Sequence, residues 1–493
     1  MSEYFVPQGI NVQHPDSVFI GGEWVRPQKR TGLQIIHPAN EELVGRVAEA
    51  HESDVDAAVA AARAAFDTGP WPRMSPQERA HVVRKMGEAL RARKGEISRA
   101  WSLQMGAPIA MTSRADPGTQ YEFCSNQAET YPFEQSHPRQ DGSVLVRREP
   151  VGVVAAIVPW NAPFSLASYK IAPALVCGCT VVLKASPETP LEAYIIAECA
   201  QEAGLPPGVL NVLAADRAAS EHLVRNRGVD KVAFTGSTAA GRRIASICGD
   251  RLARCSLELG GKSAAIILDD IDVAQVVPTL TRTSLVNNGQ ACAGLTRALV
   301  SRKRYGDLVE AMAASYRGLT VGDPFDPATQ VGPMSMKRQQ ERVLSYIEKG
   351  KAEGARVVSG GGRPKQFERG YYVEPTVFAD ANNDMVIARE EIFGPVITII
   401  PYDDFDDAIR IANDSDYGLN GSVFTNDAGR AYDVACRIRA GNFTHNDWIF
   451  DSKFPFGGFK DSGIGRENGT YGMDMYTELK TIYMPQSPHR PAA

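Results

Sequence analysis

Residues 151–161 read Val151-Gly152-Val153-Val154-Ala155-Ala156-Ile157-Val158-Pro159-Trp160-Asn161. An apolar, β-branched run of this length that stops at a proline predicts a strand buried on both faces. Working outward, residues 180–183 form a second such run. It is followed at 189–204 by Leu191, Ile195, Ile196 and Cys199 at helical spacing before a glycine stop. Residues 208–213 and 231–234 supply further strands. Past about residue 260 the alternation resumes: a strand at 263–268, a helix at 272–288, and strands at 298–300, 396–400 and 422–424. Strands that alternate with helices in this way argue for βαβ units, hence an α/β fold with two units built on mostly parallel sheets.

The first 150 residues differ. Ala-rich amphipathic segments at 54–66 and 75–93 predict helices laid against a sheet. Residues 143–148 alternate apolar and charged side chains, as in an exposed ribbon, and 477–484 have the same half-buried pattern. Two edge strands so far apart in sequence invite pairing with another subunit. There is no fixed-period repeat and no low-complexity linker, so the units are expected to interlock.

The chain has 493 residues, about three domain lengths. Its composition, with 44 Gly, 31 Pro and 23% charged residues, excludes collagen, long disorder and coiled coil. A net charge of −5 is too mild for a nucleic-acid partner, leaving a small molecule as the default. The first residues carry no basic segment followed by an apolar one, and no apolar stretch reaches about 18 residues, so a cytoplasmic protein without a membrane span is expected. Eight cysteines without a CxxC pair fit a reducing compartment, where most serve as buried small hydrophobes. The eight histidines show no HExxH spacing, and no metal is expected.

Three residues invite a chemical reading. Cys292 follows Asn288-Gly289-Gln290-Ala291, where the glycine lets backbone approach a ligand just before a thiol. Taken alone, an inert buried cysteine fits this as well. Glu258, beside Gly260 and Gly261, is a carboxylate whose pKa an apolar setting raises toward that of a general base; the plainer reading is an ion pair with Lys262. Asn161 ends the 151–158 strand, where open α/β sheets bind ligands, and offers an amide to an oxyanion or simply closes a turn.

The order of the motifs decides among these readings. Pro159-Trp160-Asn161, the strand ending in Lys184, Phe234-Thr235-Gly236-Ser237-Thr238, Glu258-Leu259-Gly260-Gly261-Lys262, Gly289-Gln290-Ala291-Cys292, Glu391-Ile392-Phe393-Gly394-Pro395 and Pro455-Phe456-Gly457-Gly458-Phe459-Lys460 follow one another along the chain. Phe19-Ile20-Gly21-Gly22-Glu23-Trp24 precedes them. In this order the sequence resembles the NAD(P)-dependent aldehyde dehydrogenase superfamily, of the hydrolytic, non-CoA-acylating type.

The resemblance implies a Rossmann-like cofactor domain (1–130 plus 151–260), a catalytic domain (261–460) and a small β oligomerisation arm (131–150 plus 470–493) in a homodimer or homotetramer. It implies that the Cys292 thiolate attacks the aldehyde and that Asn161 and the Cys292 N–H hold the oxyanion of the thiohemiacetal. Glu258 then activates the water that hydrolyses the thioester. One oxyanion donor is worth about 3 to 4 kcal/mol in the transition state. The resemblance further implies that Pro159, Trp160, Lys184, Gly236, Ser237, Glu391 and Phe393 bind the cofactor. The pyrophosphate would meet the helix N-terminus at Gly236 and Ser237, against a plain reading of Ser237 as a helix cap.

Two positions depart from the common pattern. Pro187 stands where many NAD-preferring relatives carry a ribose-binding Glu, with Glu188 next to it, so a barrier to a 2′-phosphate is missing. Arg217, in the adenine-side loop, either reaches that phosphate or, in the preferred reading, is a solvated surface residue. NAD is expected as the principal cofactor with NADP as a weaker one. Leu166, Tyr169, Trp448, Ile449, Phe450 and Phe456 are expected around the acyl group, a set suited to an uncharged hydrophobic or aromatic aldehyde. Tyr169 replaces the Arg that relatives acting on succinic semialdehyde place there. An aromatic cage also suits a trimethylammonium group, so betaine aldehyde is an alternative. A cofactor-independent cysteine acyltransferase or hydrolase is a second one, but it leaves Lys184, Glu391 and the 234–241 segment without a task. A non-enzymatic relative of the fold is a third, and it would be expected to have lost Cys292 or Glu258.

Overall fold

The computed structural model describes residues 3–485. The chain forms two large sheets and a three-stranded arm. In the first sheet, Leu210–Ala214, Thr180–Ala185, Val153–Ile157, Lys231–Thr235 and Arg254–Glu258 run parallel in that spatial order. The hairpin Val18–Ile20 and Glu23–Val25 extends one edge through Phe19 opposite Val212. Gly463–Ile464, from near the C-terminus, pairs antiparallel with Arg254–Glu258 and covers the other.

The period-two geometry of a strand explains why residues 153–157 are so uniformly apolar. Val154 and Ala156 enter one core with the helices Pro76–Ala92 and Pro163–Cys177, whereas Val153, Ala155 and Ile157 enter a second core with Glu52–Asp67. Ser75 caps the helix that follows it in a reciprocal box, accepting from the Glu78 N–H while the Glu78 carboxylate accepts from the Ser75 N–H.

The second sheet orders Arg356–Ser359, Thr376–Ala379, Val396–Tyr402, Leu295–Ser301, Ser263–Ile267, Gly421–Phe424 and Thr444–His445, all parallel except the first pair. Ala264 and Ile266 feed one core and Ala265 and Ile267 another, so this sheet too is covered on both faces. No helix among the described residues is long and apolar enough to cross a membrane.

One sequence expectation changes. The helix expected at 272–288 is Val273–Ser284, because Asn287 (φ 57°) and Asn288 (φ 60°) adopt left-handed backbone that ends it. The two ribbon segments combined in the expected arm pair with each other: Thr477–Met484 runs antiparallel to Gly142–Pro150 from Thr477 opposite Pro150 to Met484 opposite Ser143. Glu134–Arg139 forms the third strand of the arm. Residues 486–493 of the expected arm, and residues 1–2, lie outside the described residues.

Candidate active site

The strand order of the first sheet reverses between Val153–Ile157 and Lys231–Thr235, and open α/β sheets bind ligands outside such a switch point. A cleft of about 780 Å³ lies there, lined among others by Pro159, Trp160, Lys184, Gly236 and Ser237. This is the size range of cofactor sites. The Thr238–Arg251 helix begins at its floor. The Ser237 hydroxyl caps that helix, accepting from Ala240 N at 3.3 Å, which leaves the first-turn N–H groups of Thr238 and Ala239 for an anion.

Lys184 is buried at the end of its strand, and burial pushes its ammonium down to about 8 against the opposing pull of Glu188 and Asp216. Glu188 is held by the Ser186 hydroxyl and by Arg338. Arg217, exposed at the rim of the same cleft, has no partner among the described residues. These features fit a dinucleotide: an anion cradle, a cation at the next strand end and apolar walls.

Glu391 and Phe393 arrive from the second sheet, on the loop before Val396–Tyr402. Glu391 accepts the Gly261 N–H at 3.1 Å, and burial raises its carboxyl to about 7. Phe393 has a left-handed backbone (φ 64°) and sets its ring at 88° to Trp160 with centroids 5.4 Å apart, so the two sheets meet at the mouth of the cleft.

The loop carrying Cys292 is fixed from several sides. Asn288 Nδ2 donates to the carbonyls of Gly106 (2.8 Å) and Pro333 (3.0 Å), and its Oδ1 accepts from Gly332 N. Asn287 Nδ2 donates to the Asn161 carbonyl at 2.7 Å, and Asn161 Nδ2 donates to the Gln290 carbonyl at 3.0 Å. One of the two Asn161 amide hydrogens is thereby used and the other remains for an oxyanion.

Two glycines of the motifs exist for room. A Cβ on Gly289 (φ 75°) would lie 2.1 Å from the Gly394 oxygen, and one on Gly261 would lie 2.5 Å from the Cys292 oxygen. Cys292 is half-buried as a residue. Burial, then the Glu391 and Glu258 carboxylates, push its thiol up to about 12, opposed by the N–H groups of Ala293 and Cys292.

Glu258 ends the last parallel strand of the first sheet at 3% exposure, and neither carboxylate oxygen has a hydrogen bond. Burial raises its pKa well above the usual carboxylate range, and the neighbouring Glu467 adds to the rise while Lys170 opposes it. The plain reading of Glu258 as the partner of Lys262 is not what the structure contains, since Glu258 has no ion pair. Sequence reading missed Lys170 and Glu467. Lys170 Nζ donates to Glu467 Oε1 and to Thr235 Oγ1, both at 2.6 Å, with the lysine fully buried. The signal for Lys170 was available: it is the one charged residue inside the apolar helix Pro163–Cys177.

Of the residues expected around the acyl group, three form a chain of rings. Tyr169 and Phe450 lie 5.6 Å apart and Phe450 and Phe456 5.3 Å. Phe456 exchanges backbone hydrogen bonds with Glu467, which ties these rings to the buried ion pair. Leu166 lies one turn before Tyr169 on the same helix. Trp448 packs against a core of the second sheet instead, and Ile449 is exposed.

Residues 24–482 match the aldehyde dehydrogenase family. The chain is 46% identical over 479 residues to a geranial dehydrogenase of Castellaniella defragrans, covering 96% of this chain and 99% of the relative. It is 40% identical over 484 residues to a betaine aldehyde dehydrogenase of Rhizobium etli, covering 97% and 99%. An aldehyde dehydrogenase of Mycobacterium tuberculosis, solved in complex with NAD+, matches at a TM-score of 0.94 and 46% identity over 96% of this chain and 98% of that one. The chain belongs to the aldehyde dehydrogenase family and is an NAD(P)-dependent oxidoreductase.

Proposed function

We propose that this enzyme uses NAD, with NADP as a weaker substitute, to oxidise an uncharged hydrophobic or aromatic aldehyde to its carboxylic acid. The observation that carries the mechanism is a buried carboxylate, Glu258, with both oxygens unpartnered, in the electrostatic field of the Cys292 thiol. A group so placed has a proton to take and nothing else to bind.

Cys292 loses its proton to solvent and the resulting thiolate attacks the aldehyde carbon, and the free hydrogen of the Asn161 amide and the Cys292 N–H receive the oxyanion. A bound NAD would supply the acceptor for the hydride lost from the thiohemiacetal carbon. Glu258 then takes a proton from water as the water attacks the thioester, and Cys292 leaves as the sulfur anion. Lys184, Glu391, Trp160, Phe393 and the amides after Ser237 would hold the dinucleotide. In this reading residues 1–130 with 151–260 bind the cofactor, 261–460 carry the nucleophile, and 131–150 with 470–493 join subunits into a homodimer or homotetramer.

The rings of Tyr169, Phe450 and Phe456 support an apolar substrate. The relative named for geranial, a hydrophobic unsaturated aldehyde, supports it too. The same rings support a quaternary ammonium aldehyde as the second reading. A kinetic panel separates them: kcat/KM is expected to be highest for geranial, octanal or benzaldehyde, whereas a maximum for betaine aldehyde establishes the second reading, and one for succinic semialdehyde discards both. Cys292→Ala should abolish oxidation. Glu258→Ala should give a single burst of reduced cofactor without turnover, and steady turnover in that variant would remove Glu258 from the deacylation step.

A further inference from the structure

Lys262 immediately precedes the Ser263–Ile267 strand and falls on the face of Ala264 and Ile266, which packs beneath Ala412 and Phe443. Arg297 stands opposite Ala264 on the neighbouring strand and, with Leu299, shares that face. Two cations therefore lie side by side in the interior, Lys262 at 3% and Arg297 at 1% exposure.

Among the described residues no carboxylate bonds to either group, although Asp414 favours the charged form of Arg297 and Glu391 and Glu390 that of Lys262. Arg297 donates only to neutral oxygens, Asn383 Oδ1 at 2.6 Å and the carbonyls of Ile411 and Ala412 at 2.9 Å, and its Nε has no partner. The Lys262 ammonium makes no hydrogen bond or ion pair among the described residues. Glu391, which lines a neighbouring cavity together with Lys262, is engaged by the Gly261 N–H. Burial, then Arg297, lower the Lys262 pKa to about 7 against the opposing pull of Glu391 and Glu390.

Between these groups lies a cavity of about 20 Å³, lined by Lys262, Arg297, Tyr417 and Asn420, with exposed Arg439 also contributing to its wall. No Asp or Glu lines it. The volume suits one particle of about water or halide size. A buried cation is ordinarily paired, and here two face one small space that contains no anion of the protein's own.

We propose that this cavity is a binding site for one small monovalent anion of the halide class, held between the Lys262 ammonium and the Arg297 guanidinium. The site is separate from the aldehyde chemistry and does not depend on the substrate reading.

The test uses the full-length enzyme. Crystals grown in sodium bromide should show an anomalous peak at the bromine edge between Lys262 and Arg297, and water-like density without an anomalous signal overturns the proposal. In solution, replacing sodium gluconate by sodium bromide at constant ionic strength should raise the Tm saturably by about 2 °C. Lys262→Met should abolish that rise, and an equal rise in the variant overturns the proposal. The diffraction arm needs no variant and decides the question should Lys262→Met fail to fold.

Discussion

At the scale of single residues the site is governed by unpaired charge in a dry setting. Burial first and Glu467 second raise the Glu258 pKa. Its base form, and with it the proposed deacylation, should therefore appear at higher pH than for an ordinary carboxylate. Glu467→Gln removes a negative neighbour while the Lys170 ammonium remains, so the Glu258 pKa falls and the acid limb of the kcat–pH profile should move to lower pH. A limb that stays put or moves up contradicts the arrangement. Arg217 presents a second clean case, because it has no partner to disturb. Arg217→Ala should lower kcat/KM for NADP by about tenfold, the worth of one charge-assisted contact, and leave that for NAD within about twofold. Equal losses with both cofactors would mean that Arg217 does not face the 2′-phosphate.

At the scale of elements, what matters is how loops are delivered to strand ends. The turn Val286–Gly289 places Cys292 through three successive left-handed residues, Asn287, Asn288 and Gly289, the last of them against Gly394. Gly289→Ala adds a methyl group where none fits, which should cost about 1 to 3 kcal/mol in urea unfolding and reduce kcat at least tenfold. Wild-type stability and rate would show the loop to be softer than its contacts imply. The same turn shows where sequence reading stops. The strand around Val153–Ile157 was legible because both faces are buried and each residue says so by itself. The helix before Cys292 was read four residues too long because Asn287 and Asn288 leave it for bonds to Gly106, Asn161 and Pro333, partners distant in sequence. The motif order pointed to Cys292, Glu258 and Asn161 as candidates. Glu467 gave no local signal at all, since its meaning lies in a lysine 297 positions away.

At the scale of the whole molecule, the arm leaves apolar side chains in water. Leu479 and Tyr483 on Thr477–Met484 are 66% and 68% exposed, and that strand is hydrogen-bonded on one side only. Pairing or packing with a second copy would cover them. Wild-type enzyme should sediment as a dimer or tetramer at micromolar concentration, and Leu479→Asp with Tyr483→Asp should shift it toward monomer. A monomeric wild type leaves the arm without its proposed role.

The strand Gly463–Ile464, which closes the edge beside Glu258, also sets a schedule. Next to it the Ser462 hydroxyl donates to the Gly260 carbonyl, across 202 residues of chain. At ribosomal speeds of about 5 to 20 residues per second, the interval between those two residues is on the order of 10 to 40 s. For that time the nascent first sheet ends in an open strand whose last residue is the buried carboxylate, with neither its covering strand nor Glu467 yet made. The growing chain thus spends that interval with the end of Arg254–Glu258 on an unprotected edge, open to pairing with other strands.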